Sequence, residues 1–137
     1  MMVKFLFNKL IRDKLLLVIQ NKGVEVEHRV LDSDEYISAL KDKLLEEVKE
    51  LCTAKSKLEL KEEIADVLEV IYSLCSGENI DLNEIEEIRL KKLSTNGGFS
   101  NKIFIDHVSF IENEERFKNL SKYYRSHPEK YPEVIDQ

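Results

Sequence analysis

Apolar residues recur at helical spacing along most of the chain. Residues 9 to 22 fit a first helix that ends at Asn21, Lys22 and Gly23, where Gly23 can take the positive-φ cap position. The period then shortens to two. Val24, Val26, His28 and Val30 alternate with Glu25, Glu27 and Arg29, which predicts a short half-buried strand or an extended connection. Asp32, Ser33 or Asp34 can cap a second helix running to about Ala54. A third runs from about Lys57 to Ser76 and stops at Gly77, and a fourth covers 81 to 93, opening on Asp81. Gly97 and Gly98 predict a tight loop, followed by a short strand from Lys102 to Asp106. The last thirty residues, polar and less periodic, read as a short helix plus a tail. The expected fold class is all-α: a compact helical bundle of about four main helices with short extended segments.

Composition supports that picture and narrows the function. The 137 residues are 42% hydrophobic and 35% charged, enough for one core, and only four Gly and two Pro interrupt the helices. A net charge of −6 disfavours a nucleic-acid polymer as partner, while a nucleotide held through a cation stays open. Cys52 and Cys75 form no CxxC pattern and suit a reducing cytoplasm. The apolar start is broken by Lys9, Arg12, Asp13 and Lys14, which argues against a signal peptide or a membrane span.

The second and third helices carry the candidate chemistry. Each residue advances about 100° around a helix axis. On the second helix Ile37, Leu40, Leu44, Val48 and Leu51 form the apolar stripe, with Glu47 at its border, Glu50 roughly 60° further out, and Glu46 pointing almost directly away. On the third the stripe is Leu60, Ile64, Val67, Leu68, Ile71, Leu74 and Cys75, with Glu63 inside it and Asp66 at its edge. A short connection makes the helices antiparallel neighbours, so Glu47, Glu50, Glu63 and Asp66 are expected to converge.

Acids on a helix usually mark a solvated face. Such a face normally places Lys or Arg four residues after Glu, yet no acid from Glu46 to Asp66 has one. Instead Asp42, Glu46 and Glu50 stack at four-residue spacing, as do Glu59 with Glu63 and Glu62 with Asp66. Half-buried carboxylates without a partner would protonate or destabilise the fold, and a divalent cation resolves this. All-oxygen donors suit Mg²⁺ or Mn²⁺ rather than Zn²⁺. A di-iron bundle would need Glu-x-x-His, a spacing that His28, His107 and His127 do not provide.

"EEVKE", a twelve-residue gap and "EIAD" resemble the E-E-x-x-E … E-x-x-D signature of the MazG-like all-α NTP pyrophosphohydrolases. The opening "FNKLIRDKL" and the closing "GGF" followed by "KIF" are similar to a house-cleaning branch of that family, over roughly residues 7 to 106. The resemblance implies a domain at 1–106 with a C-terminal extension at 107–137. It also implies a homodimer or higher homo-oligomer and Mg²⁺-dependent hydrolysis of NTPs or dNTPs to NMP and pyrophosphate. Glu47, Glu50, Glu63 and Asp66 match the metal ligands and catalytic acids, and Glu46 matches the motif's first acid. Leu16 stands where the family usually has proline, and Asn96 where it has arginine.

Charge on the phosphates has to be met by cations from elsewhere in the chain, and Arg12, Lys14, Lys91, Lys92 and Lys102 are the candidates. Gly97 and Gly98 could offer backbone N–H groups to phosphate or form only a turn, and Phe99 is expected in the core. The alternative is a non-catalytic helical nucleotide-sensing or protein-interaction module, with Tyr123, Tyr124 and Arg125 as its contact surface.

Overall fold

Each of the three long helices starts where a short polar side chain takes over an otherwise orphaned backbone N–H. Asp32 accepts from the Glu35 N–H at 2.9 Å, Ser56 from that of Glu59 at 3.1 Å, and Asp81 from that of Asn83 at 2.8 Å. At Ser56 the Glu59 carboxylate reaches back to the Lys55 N–H at 2.8 Å, a reciprocal cap that fixes the turn before the helix. The computed structural model describes residues 1–135, in two compact units, Met1–Gly97 and Gly98–Gln137.

The first unit contains α1 (Asp13–Gln20), α2 (Ser33–Cys52), α3 (Lys57–Gly77) and α4 (Leu82–Asn96). Helix α1 begins later than its apolar pattern suggests, because Asn8 is left-handed at φ 47° and Arg12 is extended. Gly23 at φ 80° and Gly97 at φ 78° occupy the positions where only glycine is free of strain. The Gly97 N–H is taken by the Leu93 carbonyl at 3.0 Å, so this group closes α4 and is not free for a ligand.

Helices α2 and α3 are the one helix pair, among the described residues, that packs along its length. They run antiparallel: Gly77 at the end of α3 lies against Tyr36 and Ile37 at the start of α2. A Cβ at Gly77 would come within 2.8 Å of Ile37 Cδ1, so the expected helix stop is also a point of close approach. Helix α3 ends there, as the sequence predicts, with Glu78 as its C-cap, and the chain turns away through Asn79 at φ 56°.

The buried seam is rotated from the one expected. Leu40, Val70 and Cys75 are buried, and so is Glu47 at 7% exposed, whereas Val48, Leu60, Ile64 and Leu68 are exposed. Two helices cover only a narrow strip of each other, and the apolar stripes here are wider than that strip. Leu15, Leu17 and Val18 of α1 and Ile85, Ile88, Leu90 and Leu93 of α4 are exposed as well.

No strand forms among the described residues. Residues 24 to 30 are an extended connection, the second of the two expected forms, with Val24 and Val30 in solvent. The strand expected from Lys102 to Asp106 is absent. Lys102 is left-handed at φ 59°, and Ile103, Phe104 and Ile105 are exposed with no ladder partner. Phe99, expected in the core, is 99% exposed, because it follows the α4 cap in a bend with no element packed over it.

The second unit holds a 3₁₀ turn (Glu115–Phe117) and α5 (Leu120–Arg125) around a group of rings. Phe110 packs on Phe117 and Tyr124, and Tyr124 meets Tyr131 edge-on with centroids 4.9 Å apart. Arg125 pairs with Glu112 and, at 2.7 Å, with Glu133, so this guanidinium serves the unit's own structure. Of the expected contact surface, Tyr123 and Arg125 are exposed and Tyr124 is half-buried.

Candidate metal centre

The antiparallel α2–α3 pair brings the end of one helix beside the start of the other, which is where the acids lie. One carboxylate oxygen each from Glu47, Glu50 and Glu63 falls within 4.8 Å of the others. Three carboxylates brought this close offer the all-oxygen donor set that a hard cation such as Mg²⁺ takes. Glu63 Oε2 is buried and has no hydrogen-bond partner, the signature of an oxygen that a cation would satisfy.

Asp66 does not join that group of three. Its Oδ1 accepts from Arg12 at 2.6 Å, so one of the cations expected for phosphate already engages one of the acids expected for metal. Glu46, expected to point away, is instead half-buried and held by Lys9 at 2.9 Å and Lys43 at 3.4 Å. Lys43 also lies 3.0 Å from Glu47. The charge neutralisation thought to be missing is thus partly present. It comes from the preceding turn of α2 and from the N-terminal arm, not from the position four residues after each acid. Lys43 is legible as an i,i+3 and i,i+4 partner only when the helix is read backwards; Lys9, 37 residues from Glu46, carries no local signal.

Lys14, Lys91 and Lys92 are exposed and make no ion pair with the acids among the described residues. Lys102 belongs to the second unit.

The electrostatics follow from this geometry. Glu63 is pushed up from its ordinary 4.5, first by burial and then by the charges of Glu50, Asp66 and Glu47. Glu46 is lowered, chiefly by its hydrogen bond from Lys9, against an opposing burial effect. Burial alone would depress Lys43, but Glu47 and then Glu46 outweigh it and raise its pKa.

A carboxylate raised in the folded state contributes stability that is fully present below its unfolded value and lost as pH rises through the folded one. Metal-free protein should therefore lose stability as pH climbs from about 4.5 through the raised Glu63 value. Glu63→Gln should flatten that part of the profile. Thermal melts in a chelator across this range check it, and parallel profiles for the two proteins would refute it.

A protein-family model for phosphoribosyl-ATP pyrophosphohydrolase matches residues 17–92, more than half of the chain, and spans all the acids of α2 and α3. No curated protein and no solved structure matches. The matched stretch begins after Lys9, Arg12 and Lys14 and ends before Asn96, so those positions draw no support from it. No described helix is long and apolar enough to cross a membrane. The all-helical fold, the paired acidic helices and the family match agree: the chain belongs to the phosphoribosyl-ATP pyrophosphohydrolase family, within the MazG-like all-α NTP pyrophosphohydrolase superfamily, whose members act on nucleotides.

Proposed function

We propose that the protein is a Mg²⁺-dependent nucleoside triphosphate pyrophosphohydrolase, with Mn²⁺ as a substitute, cleaving NTPs or dNTPs to NMP and pyrophosphate. The observation that carries this reading is the Glu47, Glu50 and Glu63 oxygen cluster with its orphaned Glu63 Oε2, inside the stretch that matches the family. Glu47, Glu50 and Glu63 would hold the cation, with Asp66 joining them once Arg12 lets go. A divalent ion held by these carboxylates would supply Lewis-acid chemistry, offsetting phosphate charge and making a bound water more acidic.

The chain's own residues supply the rest. A carboxylate of the cluster accepts the proton of the attacking water. Arg12, already beside Asp66, is placed to exchange that partner for a phosphate oxygen, a group its planar fork suits. Pyrophosphate leaves with its charge met by such cations.

The family model is named for phosphoribosyl-ATP, and the same bond is cleaved in either substrate class. The cations set at the cluster are Lys9, Arg12 and Lys43, each paired with an acid. The choice of a plain triphosphate, in a cytoplasmic house-cleaning role on non-standard nucleotides, rests instead on the likeness of "FNKLIRDKL" and "GGF" followed by "KIF" to that branch. The domain proposed for this activity is 1–106, with 107–137 as an extension, and the exposed apolar flanks of α1, α3 and α4 are to be covered by a second copy in a homodimer or larger homo-oligomer.

The test is chromatography of reactions with a panel of NTPs, dNTPs and phosphoribosyl-ATP, with Mg²⁺ and with a chelator. NMP and pyrophosphate from a plain triphosphate are expected, whereas NDP and orthophosphate as first products would reject the assignment. Turnover of phosphoribosyl-ATP alone would move the substrate. No turnover at all would favour a nucleotide-sensing or interaction module.

A further inference from the structure

Lys43 sits inside the acid cluster. Its side chain is 19% exposed, and its ammonium lies 3.0 Å from Glu47 and 3.4 Å from Glu46, while Lys41 and Lys49 of the same helix are in solvent. Lys preceding Glu by four is the weaker order for a helix pair, worth at most a few tenths of a kcal/mol, and a partly buried ammonium loses hydration. Helix pairing alone is thus a weak reason for this placement.

The charges around it sort into pairs. Glu46 goes with Lys9, Asp66 with Arg12, and Glu47 with Lys43. Among the described residues Glu50 and Glu63 have no ion pair, and the buried Glu63 Oε2 has no hydrogen-bond partner. Two unmatched negative charges correspond to one divalent ion.

Resting on the metal-site reading above, we infer that Lys43 is a positioning residue that acts as a resident cation: it fixes Glu47 in its buried orientation and occupies the place of a second metal ion, so that the substrate-free site takes one divalent ion. A neutral side chain of similar length removes this charge and leaves Glu47 free to serve a further ion. Arginine keeps the charge.

The experiment is a Mn²⁺ titration of the full-length protein without nucleotide, followed by electron paramagnetic resonance of the free ion, on wild type, Lys43→Met, Lys43→Gln and Lys43→Arg. Circular dichroism establishes that each variant is helical, and the two neutral variants back each other against misfolding. Wild type and Lys43→Arg should bind one ion per chain, and the neutral variants should approach two. One ion in every protein would show Lys43 to be an ordinary ion-pair partner and overturn the inference while leaving the metal site standing. Two ions in wild type would overturn it as well. No binding to wild type would instead remove the metal-site reading itself.

Discussion

Glu63→Gln and Glu50→Gln should each lower Mg²⁺-dependent turnover on the order of a hundredfold or more, since even groups that merely support a metal ligand cost 10- to 100-fold when lost. The two residues face each other across the α2–α3 pair and supply oxygens to the same group of three. The variants should keep their helical spectrum, because neither side chain fills the apolar seam of Leu40, Val70 and Cys75. They should also lose the thermal stabilisation that Mg²⁺ gives the wild type, which for a ligand at a hundred times its Kd is about 2.7 kcal/mol. Glu46→Gln, whose carboxylate is engaged by Lys9 and Lys43, is the control and should keep most of that stabilisation. Steady-state assays and melts across a Mg²⁺ series decide this. Full turnover in both Glu63→Gln and Glu50→Gln would reject the metal-site assignment.

The other large effect is expected on the exposed apolar flank of α3. The unit Met1–Gly97 buries Leu40, Val70 and Cys75 but leaves Leu60, Ile64 and Leu68 of α3 between 40% and 43% exposed, together with the apolar residues of α4. A domain of this size ordinarily buries about 60% or more of its unfolded surface, and obligate dimers bury about 2,000–5,000 Å² between subunits. The wild type should therefore sediment as a dimer or larger, with a melting temperature that rises with concentration. Ile64→Asp combined with Leu68→Asp would place two carboxylates in that interface, each costing several kcal/mol unless neutralised. The double variant should sediment as a monomer and melt on the order of 10 °C lower or more. A wild type that sediments as a monomer, with a melting temperature independent of concentration, would contradict the proposal.

Much of the architecture is written locally. The caps at Asp32, Ser56 and Asp81, the left-handed glycines at 23 and 97, and the short turn between α2 and α3 depend on neighbours within four residues, so the sequence alone determines the helices and the antiparallel pair. The same periodicity put Glu47, Glu50 and Glu63 near one another. It could not rotate the helices, because the apolar stripes are wider than a two-helix contact and several rotations bury similar area; packing chose the one that buries Glu47 and exposes Val48. Nor could it foresee strands failing at 102–106, since a strand needs a partner ladder that a local pattern cannot supply. What only the tertiary structure decided is which cation meets which acid. Lys9 and Arg12 reach Glu46 and Asp66 across 37 and 54 residues, and an ion pair between distant segments leaves no periodic trace in either of them.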